Sequence, residues 1–124
     1  MKPVSYVFFL LATISALLGM VLGIQMSASH DHSLMPVHAH MNLIGWVGMA
    51  LFGIFYQITP GAELGVLPKI HLGLTVLGVV VIIPGIYLAI TGGGEGAAKL
   101  GSVLTLLSML LFTYIVATRG RAPV

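Results

Sequence analysis

The chain has 124 residues, 58% hydrophobic and 6% charged, with five basic and three acidic side chains and a net charge of +2. Soluble domains carry about 25% charged residues, so this composition excludes a water-covered surface and points to an integral membrane protein with lipid around it. No basic patch is present to meet a nucleic acid. With no cysteine, disulfides, iron–sulfur clusters, thiolate ligation and covalent haem attachment are excluded.

Four apolar runs are long enough to cross a bilayer, at about 4–24, 40–58, 70–90 and 98–118. Each approaches the ~20 residues a helix needs for a hydrocarbon core of ~30 Å. The first begins after Lys2 and is followed by Ser27-Ala28-Ser29. It is longer than the apolar core of a signal peptide, so it is read as a span. The segment between the first two runs, residues 27–40, is rich in histidine: His30, His32, His38 and His40 fall within eleven residues. Thr59-Pro60-Gly61 ends the second run, and Leu67-Pro68 begins the third, with Pro at a favoured first-turn position. Pro84 lies inside the third run, where it is expected to bend the helix. Residues 91–96, TGGGEG, form a turn. The fourth run carries Ser102, Thr105 and Ser108 at three-residue spacing, expected to bond carbonyls or neighbouring helices.

The runs lack the alternation of a membrane barrel, and an open sheet cannot satisfy its backbone in lipid. The fold class is therefore all-α: four transmembrane helices with short loops in one antiparallel bundle over 1–124. With the N-terminus inside, Lys2, Lys69, Arg119 and Arg121 fall on the cytoplasmic side and only Lys99 outside. The positive-inside rule then puts both termini in the cytoplasm and the His-rich segment on the outer face of a cytoplasmic membrane. Glu63 and Glu95 read as solvated loop residues. Lys99, Arg119 and Arg121 read as headgroup anchors, with Lys99 placed to meet a propionate.

A histidine at a bilayer is a functional candidate. On a regular helix His38 and His40 are about 200° apart, so they face opposite ways and do not chelate one ion together. Around them the second run supplies Asn42 and small residues, Gly45, Gly48 and Gly53, which suit either a planar ligand or helix packing. Flat aromatic surface comes from Trp46, Phe52, Phe55 and Tyr56. Imidazole in an apolar slot suits haem iron. The candidate cofactor site is His38, His40, Asn42, Gly45 and Trp46. A second, copper site is suggested by His30 and His32 with Met26, Asp31 and Met35 nearby. His71 begins the third run on the far side from His40, about one membrane thickness away. The two do not share an iron, and His71 is expected to be interfacial.

Residues 38–60, HAHMNLIGWVGMALFGIFYQITP, resemble the His-x-His helix of subunit I of haem-copper oxidases, in the branch of the cbb-type oxidases and nitric oxide reductases. The resemblance implies that the two histidines ligate different haems on opposite sides of one helix. It covers only this helix. The chain has no histidine triad for an active-site copper, and it is similar to one of the three four-helix units from which that subunit is built. A homotrimer rebuilds the full set, with each haem held by His40 of one chain and His38 of the next. The expected function is that of a b-type cytochrome for electron transfer or gas sensing, with haem b as cofactor. A quinol or a periplasmic redox protein is the expected electron partner. Two strong axial ligands favour electron transfer over oxygen reduction. The alternatives are a haem enzyme with an open iron position, a copper-binding membrane protein, and a structural subunit of a larger respiratory complex.

Overall fold

The structure, a computed structural model, describes residues 1–121, and the described residues are helical with no strand. Four helices are long and apolar enough to cross a membrane: α1 Pro3–Ser29, α2 Met35–Ile58, α3 Leu67–Ile90 and α4 Gly96–Arg119. All four exceed the runs expected from hydropathy. α1 continues past Ile24 through Gln25 and Ser27, because a helix tolerates polar residues once its apolar turns are laid down. α2 starts at Met35, with Pro36 in its first turn, where a missing N–H is harmless. The His-rich segment thus shrinks to a loop at 30–34, and His38 and His40 stand inside α2. α3 runs through Pro84 without a break.

α2 is not uniform. It is α-helical over Met35–His40 and Met49–Ile58, and between them Met41–Gly48 is π-helical. Such i→i+5 turns are rare and gather at functional sites. The regular 100° step therefore holds for His38 and His40 and fails immediately after them.

The buried positions show how the helices meet. On α3, Pro68, His71, Thr75, Gly78, Ile82 and Gly85 are buried, and on α4 Gly101, Ser108 and Ile115. These intervals of three and four, or seven, mark a seam between packed helices. Glycine sets the approach. A methyl placed on Gly101 would come within 2.5 Å of Ile82 Cα, and one on Gly85 within 2.5 Å of the Ala98 nitrogen. On the other side, Gly45 lies over Ser15 and Gly53 over Phe8 and Phe9, joining α2 to α1. Lipid tails are as apolar as leucine, so close backbone approach rather than the hydrophobic effect favours these contacts.

One end of the molecule is fastened by two cations. Lys2 Nζ donates to the carbonyls of Tyr56 (3.0 Å) and Thr59 (3.2 Å) and to Glu63 Oε2 (3.1 Å). Arg119 donates to the carbonyls of Ala62 (3.2 Å) and Leu64 (2.6 Å). The loop between α2 and α3 is thereby held to both the first and the last helix. Its turns need Gly61 and Gly65 at φ of 76° and 80°, values that L side chains adopt poorly. The Glu63 carboxyl is held below its ordinary range by its own backbone N–H and by Lys2. Lys99 pairs with Glu95 at 3.4 Å in the exposed first turn of α4.

Overpacking a close helix contact costs about 1–3 kcal/mol. Gly101→Ala and Gly85→Ala are therefore each expected to destabilise by that amount in a denaturant titration followed by circular dichroism. Gly73→Ala, where a methyl meets nothing within 4 Å, is the neutral comparison.

Candidate functional site

The first cluster is built on the α1–α2 seam. Gly19 and Gly23 stand one turn apart on α1, the small-xxx-small spacing that lets helices touch. A methyl on Gly19 would lie 2.5 Å from Asn42 Oδ1, and one on Gly23 3.0 Å from His38 Cε1. The two glycines are therefore the floor on which Asn42 and His38 rest. His38 Nδ1 is 2.9 Å from the Gly19 carbonyl oxygen. A carbonyl only accepts, so Nδ1 carries the proton and donates. The Asn42 amide nitrogen lies over the His38 ring, 3.4 Å from Nδ1 and 3.3 Å from Nε2, and donates to the His38 carbonyl at 3.1 Å.

His40 solves the same problem differently. Its Nδ1 lies 2.7 Å from the carbonyl oxygen of Pro36, one turn earlier on its own helix. Pro36 brings no N–H of its own, and the ring folds back along the helix. By the same reasoning Nδ1 is the donor. His40 is partly exposed on the outside of the molecule, while His38 is turned inward to α1. Both imidazoles are thus set with Nδ1–H on a backbone carbonyl. Metal-ligating histidines characteristically have this arrangement, in which the outer hydrogen bond fixes the tautomer and raises ligand basicity.

The other expected site residues divide. Asn42 is at the cluster. Gly45 is filled by Ser15, whose Cβ lies 2.9 Å from the place of a methyl, so this glycine serves helix packing. Trp46 faces outward, 36% exposed. His30 caps α1 in the left-handed conformation, φ 55°, and His32 is exposed in the turn that follows. Asp31 accepts from the Ser33 backbone N–H at 3.0 Å, which holds its carboxyl below the ordinary value. Among the described residues no three His, Asp or Glu side chains converge to hold a metal ion.

The second cluster replaces an expectation. His71 is not interfacial: it is fully buried. Its ring is packed against Phe52 (centroids 4.6 Å), Phe8 (5.3 Å) and Phe112 (5.3 Å), so aromatic rings from α1, α2 and α4 enclose it. His71 Nδ1 lies 2.9 Å from the hydroxyl of Tyr56, itself fully buried, and Nε2 has no partner. If Tyr56 donates, one N–H is left over. If His71 donates, both the phenol hydrogen and a ring nitrogen are left over. The first arrangement strands fewer polar groups and is favoured. One turn on, Thr75 donates to the His71 carbonyl at 2.7 Å and meets Ser108 of α4 at 2.6 Å. His71 shares its stripe with Thr75, Gly78, Ile82 and Gly85. That heptad pattern was a signal for burial, masked by the position of His71 at the end of an apolar run. Gly19-xxx-Gly23 was likewise visible and marked the face that receives α2.

No family model, curated protein or solved structure matches the chain.

Two measurements check this geometry. Nitrogen-15 imidazole spectra are expected to show the Nδ1–H tautomer for His38 and His40, assigned by single substitutions to Ala; Nε2–H signals at either ring contradict it. Tyr56→Phe strands a buried ring nitrogen and is expected to destabilise by about 1–3 kcal/mol. In a double-mutant cycle with His71→Phe, the combined loss is expected to fall short of the sum, since the second change removes the group the first left unpaired.

Proposed function

We propose that the chain is a membrane b-type cytochrome whose haem iron is ligated by the Nε2 atoms of His38 and His40, serving electron transfer or haem-based gas sensing. The observation that carries this reading is the pair of Nδ1 donations, His38 to Gly19 at 2.9 Å and His40 to Pro36 at 2.7 Å. Each occupies Nδ1 with a backbone carbonyl and leaves Nε2 as the nitrogen that could bind iron. The resemblance of residues 38–60 to the His-x-His helix of haem-copper oxidases adds to it.

The donor set fits the group. Haem b takes strong nitrogen ligands, and α2 carries two imidazoles two residues apart. Bound haem would supply a one-electron couple. His38 and His40 would hold the iron, and the Asn42 amide, now 3.3 Å from His38 Nε2, would turn aside to release it. Since the two rings serve different faces, an iron that takes both kinds of ligand is shared between copies, and a homotrimer closes the set. The four helices are read as an antiparallel bundle in the cytoplasmic membrane, both termini inside, on the charge bias of the loops. A quinol or a periplasmic redox protein is the proposed electron partner. The copper reading at His30 and His32 keeps only their closeness in sequence.

The test is an absorption spectrum of detergent-solubilised protein expressed with ample haem, oxidised and then dithionite-reduced. The expected result is a low-spin b-type spectrum with a narrow reduced α-band. It should be lost in both His38→Ala and His40→Ala, by more than the roughly 10–100-fold that loss of a ligand's hydrogen-bond partner costs. Absence of a Soret band in the wild type overturns the reading.

A further inference from the structure

At the end of the molecule fastened by Lys2 and Arg119, a cavity of about 420 Å³ opens between the first turns of α1 and α3. Lys69 and Glu63 line it, with an apolar lip of Pro3, Val4, Leu64 and Val66. Leu64 and Val66 are both 64% exposed, so the lip stands open. Further along the same two helices lies a smaller cavity of about 100 Å³, whose walls include Leu11, Ile14, Val79 and Val80. From Val4 to Ile14, and from Lys69 to Val79, each helix rises about 15 Å. That is half of a hydrocarbon core of ~30 Å, the depth of one leaflet.

The outer of these two cavities carries a surplus of cations. Lys2, Lys69 and Arg119 gather around it against one carboxylate, Glu63, which Lys2 already answers at 3.1 Å. The loop carbonyls are engaged as well, those of Tyr56 and Thr59 by Lys2 and those of Ala62 and Leu64 by Arg119. Lys69 is exposed and pairs with no carboxylate among the described residues. Lys99, at the opposite end, has Glu95 at 3.4 Å. An ammonium with no counter-ion at the mouth of a membrane groove attracts an anion. A zwitterionic headgroup would bring a second cation to it. A free anion would leave the apolar lip and the groove beyond it uncovered. An anionic phospholipid answers every part: its phosphate meets Lys69, its glycerol meets the lip, and an acyl chain covers Ile14 and Val80, which are 43% and 61% exposed. Basic pockets between transmembrane helices hold such headgroups.

We propose that the α1–α3 groove binds one anionic phospholipid, its phosphate paired with the Lys69 ammonium and one acyl chain laid along the two helices as far as Val80. The site shares no residue with His38 and His40 and does not rest on the haem reading.

The test is methyl NMR of the full chain, labelled at valine and leucine, in bicelles of phosphatidylcholine. Phosphatidylglycerol is added in steps, and Val66, assigned by Val66→Ile, is expected to shift saturably. A second titration uses phosphatidylglycerol or phosphatidylcholine with a nitroxide midway along one acyl chain. Val80 precedes the end of α3 at Ile90 by as many residues as Leu106 follows the start of α4 at Gly96, and Leu106 is 59% exposed. The two thus stand at similar depth. Labelled phosphatidylglycerol should broaden Val80 well beyond Leu106, and labelled phosphatidylcholine should broaden both alike. Lys69→Gln is expected to raise the phosphatidylglycerol fraction at half-saturation about fivefold, the worth of one basic side chain at an anionic headgroup. Lys99→Gln should leave it unchanged. The Val37 methyl, 5% exposed, reports that each variant is folded, and the His40→Ala chain should titrate like the wild type. Equal broadening of Val80 by the two lipids overturns the proposal, as does an equal loss in Lys69→Gln and Lys99→Gln. Inorganic phosphate that shifts Val66 as the lipid does also overturns it, since the cavity then takes a free anion.

Discussion

An imidazole N–H turned into a helix seam needs an acceptor within the chain. His38 finds the Gly19 carbonyl across a helix seam, and His40 finds Pro36 one turn back on its own helix. This requirement organises much of the upper half of the molecule. A carbonyl already accepting from its own helix can take a second donor only if the donor gets close, and closeness needs bare backbone. Gly19 and Gly23 supply it, and α1 and α2 draw together there. Asn42 fills the remaining space over Gly19. Nδ1 is thereby tied down at both rings, and Nε2 is the ring nitrogen that no carbonyl holds.

The same economy recurs at the other end. His71 and Tyr56 bury two titratable groups in an aromatic box and satisfy most of their hydrogen-bonding capacity with one bond. Thr75 and Ser108 then tie α3 to α4 through hydroxyls rather than leucines. Lys2 and Arg119 hold the α2–α3 loop by its carbonyls. Glycine seams and a few interhelical hydrogen bonds thus hold the helices together, as expected where lipid competes equally for every apolar surface.

Much of this was legible in the residues. Eight charges in 124 residues, gathered near the ends of four apolar runs, can hardly describe anything but membrane-spanning helices. The opposed placement of His38 and His40 followed from the helical step, because that part of α2 is a regular helix. What was hidden depended on context. The ends of α1 and α2 ran past the hydropathy limits, since Gln25, Ser27 and His38 are polar yet helical. The π-helical stretch at 41–48 cannot be read from periodicity, and the 100° step that relates His38 to His40 does not carry on to Asn42, Gly45 and Trp46. Gly45 was ambiguous between ligand and packing until Ser15 was found against it. His71 was misplaced because an interfacial and a buried histidine look alike at the end of a run. Only the stripe it shares with Thr75, Gly78 and Ile82 distinguishes them.

The account rests on two imidazoles whose Nδ1–H is held by a backbone carbonyl, so that Nε2 is the nitrogen available to iron. The most direct measurement is pulsed electron paramagnetic resonance of the ferric protein, prepared with nitrogen-15 histidine, reading the hyperfine couplings at the iron. The account predicts a low-spin signal with two coordinated histidine nitrogens, and two weakly coupled remote nitrogens that still carry their protons. A high-spin iron with one histidine nitrogen, or a protein that takes up no haem at all, would contradict it.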